Sequence, residues 1–315
     1  MKLILSRKGF DSAAGRVPSP ILPDGRLLSL PIPDRTAQQT YAEVCRHAGF
    51  DEQLVEHLTG GRIRSSFTAH LDPDLRHDSL PRPPEWRPLF GQTRAAQAHL
   101  ANRGVGPGDI FLFYGWFRQT TYRDGVFRFD RSAPDLHMLF GWLQVDDAHR
   151  IEGGCPATIP WAAYHPHFQF LAEGRAKNNT LYVAGTTLKI PGLGRGQIPG
   201  GGVFCNSSDN LPLTAPGQTR GIWLLPKWFS PAKGRPPLSY HDDQSRWEST
   251  EGGVLLRTAS RGQEFVLDLD HYPEGIDWVR ELAVGGGAHA HCNGGSGLPT
   301  PQPGPGPGSA PAPDT

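Results

Sequence analysis

With 315 residues, 31 lysines plus arginines against 31 aspartates plus glutamates and no net charge, the chain lacks the uniform basic surface of a bulk nucleic-acid binder, although a local basic groove stays open to it. Only 37% of the residues are hydrophobic, and 39 glycines and 31 prolines make up much of the deficit. No run of 18 apolar residues occurs and MKLILSRKGF is too short in its apolar part for a secretion signal, so no membrane partner and a cytoplasmic location are expected.

Residues 2–6 read as a buried strand carrying Leu3, Ile4 and Leu5. A turn-rich stretch follows, with Pro23-Asp24-Gly25 as a turn signal before a second apolar run at 27–32. The spacing of Tyr41, Val44, Cys45, Leu54, Val55 and Leu58 predicts helix, closed by Gly60-Gly61. The proline-rich segment 69–92 predicts irregular chain, and 92–105 predicts a helix that stops at Gly104. A β-rich core opens with 108–118 and 135–147, and the TYRDGVFRF between them reads as a hairpin turning at Asp124-Gly125. Residues 178–184, 201–204, 221–229 and 253–259 are further predicted strands. RGQEFVLDLDHYPEGIDWVREL (261–282) reads as a last strand and a short helix with Ile276, Val279 and Leu282 on one face. This order predicts an α+β fold, a mostly antiparallel β core with N-terminal helices and a short C-terminal helix. Residues 1–282 are expected to form a single domain, and the Gly/Pro-rich 283–315 a disordered tail. Cys45, Cys155, Cys205 and Cys292 form no CxxC pair and are expected as reduced thiols.

Several polar residues stand out against this frame. A strand needs no carboxylate at its head, so Glu264 is either an exposed edge charge or a functional group. Arg7 and Lys8 close the first strand just before a turn with Asp11, and strand ends are where scaffolds present reactive groups. His70 and Asp72 lie two apart in a loop without an evident third ligand, so no metal site is predicted. YHPHF (164–168) sets His165 and His167 on one side of an extended chain, an arrangement suited to binding an anion, a base or a metal. Trp116 and Trp142 sit in matching FYGW and LFGW runs and could stack on bases.

The runs KLILSRKGFDS, PSPILPDGRLLSLPIP, HLDPDL, GVGPGDIFLFYGWFR, DLHMLFGWLQV, HPH, NNTLYVA, LTAPG, PPLSYH and RGQEFVLD, spread over about 1–282, resemble the third family of nucleotide-modification-associated domains. The resemblance implies a part in modifying nucleobases, with nucleic acid as partner (DNA rather than RNA), in the company of other modification enzymes and in phage or phage-defence settings. It names a context and not a reaction. RGQEFVLDLDHYPEGIDWV is further similar to the segment bearing the catalytic glutamate of the DNA ADP-ribosyltransferase toxins, and PSPILPDGRLLS to an early stretch of theirs. That similarity implies a transferase using NAD, with Glu264 as catalytic carboxylate, Gln263 orienting substrate and Arg7 as the strand-borne arginine. Asp11 joins them as a catalytic candidate, and Lys8, His70, His165 and His167 as substrate-binding candidates. The alternative is a non-catalytic module, since GDIFLFYGWF and LHMLFGWLQV resemble paired strands of small PUA/EVE-like barrels that hold a modified base, with Trp116 and Trp142 as walls. An enzyme should gather Glu264, Arg7 and a histidine in one pocket, whereas a reader should gather tryptophans there.

Overall fold

Leu3, Ile4 and Leu5 form the centre of β1 (Lys2–Arg7), and their unbroken apolar run fits a strand covered on both faces. The computed structural model describes residues 1–169, 177–194, 198–260, 262–285 and 288–289. After the short β2 (Ser19–Ile21), α1 (Tyr41–His47) begins with a capping box, in which Thr40 and Glu43 each satisfy the other's backbone amide. α2 (Leu54–Thr59) ends on Gly60 in the left-handed region. The predicted helical pattern is therefore two helices, interrupted at Gly49, whose φ of 73° no helix accommodates. β3 (Leu89–Gln92) and α3 (Arg94–Asn102) lead into the long strands β4 (Ile110–Arg123) and, after β5 (Val126–Phe129), β6 (Leu136–Arg150). Asp124 and Gly125, with φ of 53° and 77°, turn β4 into β5 as a two-residue hairpin requires. Then come α4 (Pro166–Gln169), β7 (Thr180–Ala184), β8 (Gly201–Phe204), β9 (Ile222–Leu225), β10 (Trp247–Ser249), β11 (Val254–Arg257), β12 (Glu264–Asp268), α5 (Glu274–Gly285) and β13 (Ala288–His289).

The main sheet runs in the order β12-β1-β4-β6-β7-β3, with β2 and β5 added on β4, β8 on β6 and β13 on β8. β1 and β2 run parallel to β4, and the other pairs are antiparallel. A second antiparallel sheet has the order β10-β11-β9. The main sheet curls until its first and last strands meet, for Gln92 at the end of β3 donates to Glu264 at the start of β12 across 2.5 Å. Strand alternation puts Phe90 on the same face as Gln92, and its ring packs 5.1 and 5.2 Å from those of Phe111 and Phe113 on β4 and 5.9 Å from Tyr182 on β7. Aromatic packing thus fills the inside of the curl. The helices α1 and α2 build a separate hydrophobic cluster with Phe10, Leu28, Leu30 and Phe127. The result is the α+β fold with a mostly antiparallel core and a C-terminal helix.

Segment 69–92, predicted irregular, contains the fully buried β3. Upstream prolines hide this strand, because a four-residue Leu-Phe-Gly-Gln run is too short to show alternation. Cys205 is disulfide-bonded where a reduced thiol was expected, while Cys45 and Cys155 are free. Spacing along the chain carries no information on which distant cysteines the fold brings together. The rest of the predicted tail beyond α5 and β13 lies outside the described residues. Among the described residues, no helix is long and apolar enough to cross a membrane.

Candidate functional site

The parallel register of β1 on β4 and its antiparallel register on β12 bring the ends of three strands together, pairing Arg7 with Tyr114 and Ser6 with Glu264. The chain leaves β1 through Gly9, whose φ of 80° only glycine adopts without strain, and folds back as a tight turn. There the Asp11 carboxylate accepts from the amides of Ala13 and Ala14 at 2.7 and 2.6 Å. Between this turn, the segment 32–34, the loop 70–72 and the end of β3 lies a cleft of about 470 Å³, lined by Arg7, Lys8, Asp11, Asp34, His70, Asp72, Gln92, His167 and Gln263 among others. Such a volume is in the range of small-molecule sites.

Glu264 is not an edge charge. It is 1% exposed, and its Oε1 accepts from Lys8 Nζ at 2.9 Å and from Gln92 Nε2. Its Oε2 is buried without a hydrogen-bond partner among the described residues. Lys8 lies 4.4 Å from the centre of the Phe90 ring, so the ion pair rests on the aromatic interior. Half-buried Arg7 lines the cleft with no acidic group in ion-pair range among the described residues. Gln263, beside Glu264, lines the same cleft, and its carbonyl accepts the Arg7 amide at 2.8 Å.

The histidines gather around Asp72. One ligand atom from each of His70, Asp72 and His167 lies within 4.8 Å of the others, so His167 is the third donor that the His70-x-Asp72 spacing alone does not supply. His167 Nε2 stands 3.5 Å from Asp72 Oδ2, and His165 Nε2 3.4 Å from Asp72 Oδ1. His165 and His167 converge as expected but on a different backbone, since Pro166 starts the helical turn α4 instead of holding an extended chain. His165 is fully buried and braces Asp72 from behind instead of lining the cleft. Burial pushes the His165 imidazole down to about 4, against the pull of Asp72, so it is neutral at pH 7. Burial opposes charge on Asp72, yet the imidazoles of His165 and His167 beside it hold its carboxyl well below the ordinary range. The His70 imidazole likewise holds Asp34 below that range, across 2.7 Å.

The tryptophans are elsewhere. Trp142 is 1% exposed, packs on Phe204 and donates to the Pro199 carbonyl at 3.0 Å. Trp116 donates to Asp135 and lies under the Arg220 guanidinium. Neither lines the cleft. Asp34, Gly91, Gln92 and Asn179 are site residues that sequence reasoning passed over. The signal for them is weak, because each is recognisable only by what the fold sets against it.

The model of nucleotide modification associated domain 3 matches residues 2–268, which spans β1 through β12 and every residue of the cleft. The chain belongs to the nucleotide modification associated domain 3 family. Among curated proteins and solved structures nothing matches. Membership in nucleotide modification associated domain 3 ties the chain to nucleotide modification without naming a reaction.

Proposed function

We propose that the chain is an enzyme that modifies a nucleobase or nucleotide in DNA, with the cleft at the ends of β1, β3 and β12 as its active site. The observation that carries this reading is the meeting in one cleft of an arginine with no acid partner among the described residues, two histidines, and the Lys8 and Gln92 side chains that clamp the buried Glu264 carboxylate beside it. An arginine without a counter-ion at a concave site suits a phosphate or pyrophosphate, which it grips through two parallel hydrogen bonds. The fixed negative charge of Glu264 suits a centre that gains positive charge as a sugar–base bond loosens, and Oε2 is the oxygen left to accept a sugar hydroxyl. In the ADP-ribosyl-transfer form of the reaction, the C1′–N bond to nicotinamide breaks and its electron pair leaves with nicotinamide. The acceptor atom on the DNA forms the new C1′ bond and releases its proton. A base reader would line its cleft with tryptophans, and Trp116 and Trp142 are not there.

The test is mass spectrometry of nucleosides from DNA incubated with the protein and candidate donors, NAD among them. Arg7→Gln should lower product formation by roughly 10²-fold, as loss of one electrostatic stabiliser does, with melting unchanged within about 2 °C because Arg7 holds no ion pair among the described residues. Full activity in Arg7→Gln, or tight binding of a modified base by a protein that forms no product, would remove the enzyme reading.

A further inference from the structure

The Asp72 cluster carries more than substrate contacts. His70 Nδ1 lies 2.7 Å from Asp34 Oδ2, and a carboxylate accepts, so this ring nitrogen bears the proton. Asn179 Nδ2 donates to the His167 carbonyl at 2.9 Å, which fixes the amide so that its Oδ1 faces His167 Nδ1 at 2.7 Å. His167 Nδ1 is therefore a donor as well. In the neutral rings both lone pairs sit on Nε2, and His167 Nε2 faces the Asp72 carboxylate at 3.5 Å. Asp72 Oδ1 accepts the Gly91 amide at 2.7 Å, so a backbone group as well as His165 holds the carboxylate in place. Two imidazoles and a carboxylate, each with a ligand atom within 4.8 Å of the others, suit a positive centre between them. Outer hydrogen bonds from the far ring nitrogens to a carboxylate and an amide oxygen are the usual means of orienting metal-bound histidines.

We propose that His70, Asp72 and His167 bind one divalent transition-metal ion through imidazole and carboxylate donors, with Asp34 and Asn179 orienting the two rings. The donor set suits zinc, iron(II), cobalt(II) or manganese(II) ahead of calcium or magnesium, which prefer oxygen alone. Three protein ligands at the wall of an open cleft leave positions for water or a substrate oxygen, the pattern of a catalytic metal. The inference rests on donor geometry and not on the identity of the reaction.

The experiment strips the full chain with a chelator and titrates it with cobalt(II), followed by its visible spectrum, and then with zinc by calorimetry. One equivalent of cobalt should bind, with bands of nitrogen/oxygen coordination, and zinc should displace it. Asp72→Asn and His167→Gln should abolish that site. Asp34→Asn, which removes no ligand and spares the buried core, should weaken it by about 10–100-fold. Glu264→Gln should keep full cobalt binding, so loss of activity there with metal retained would separate the fate of the enzyme reading from that of the metal site. No saturable cobalt binding by the stripped protein overturns the proposal. So does binding that Asp72→Asn, His167→Gln and Asp34→Asn all leave intact, as for an ion held elsewhere on the chain.

Discussion

Lys8 and Glu264 are 256 positions apart in sequence and form an ion pair whose side chains are 10% and 1% exposed. Removing one partner of such a pair leaves the other charged in a medium that solvates it poorly, at a cost of about 3–5 kcal/mol. Lys8→Met and Glu264→Gln should each destabilise by that order in urea unfolding. Because each single change strands the other member of the pair and the double variant strands neither, the double variant should lose less than the sum of the two. Additive losses would mean that the two groups do not share one interaction. Activity of Glu264→Gln must for this reason be read on the folded fraction. In sequence, the carboxylate heading a strand of Phe265, Val266 and Leu267 is visible as an anomaly. Its partners are not, because Lys8 lies just past the first strand and Gln92 in a segment masked by prolines. A long-range pair leaves no mark on either local stretch.

Among the elements, β3 shows how little of the site local patterning can reveal. Gly91 is buried, and a Cβ there would fall 2.4 Å from the His167 ring, so the strand has a gap into which the imidazole fits. Gly91→Ala should push that ring away and loosen Asp72, which is held by the Gly91 amide. Overpacking of this kind costs about 1–3 kcal/mol. Expected together are a lower melting temperature and weaker cobalt binding, and an unchanged cobalt affinity would show that His167 does not contribute to the site from this position. The long strands β4 and β6 are predicted close to their actual extents, since runs such as IFLFYGWF declare strand through their aromatic and β-branched content. The backbone at His165-Pro166-His167 is misread for a definite reason: proline limits its own φ equally well for an extended chain and for the first position of a helix. Local sequence does not choose between them. Packing of α4 beside Asp72 does.

For the molecule as a whole, the α+β class follows from the order of helical and strand patterns, whereas the curl that joins β3 to β12 and the junction between the two sheets do not appear in the sequence. That junction is a hydrogen bond from Trp223 Nε1 on β9 to His137 Nδ1 on β6 at 3.0 Å, within a cluster that includes Tyr114. Burial, with the positive charges of Arg220 and Arg7 adding to it, pushes the His137 imidazole down to about 3. An unfolded histidine titrates near 6.5. Between these values the unfolded chain binds a proton at this position and the folded chain does not, so stability rises with pH across that window and falls on acidification. One such group contributes a slope of at most about 1.4 kcal/mol per pH unit, vanishing above the unfolded value. Carboxylates held low in the fold, such as Asp34, act further down, since their unfolded forms begin to protonate only near pH 4. Urea midpoints should accordingly fall from about pH 6.5 toward about pH 4.5, before the carboxylates contribute. His137→Gln removes one titrating group and retains an oxygen to accept from Trp223, and it should make this part of the curve shallower, the buried His165 imidazole keeping part of the slope. The stabilities of wild type and variant would then converge at low pH, whatever their offset at neutrality. Parallel curves for the two proteins would show that His137 is protonated without cost in the fold. The junction between the sheets would then be held by aromatic packing and not by the neutral imidazole.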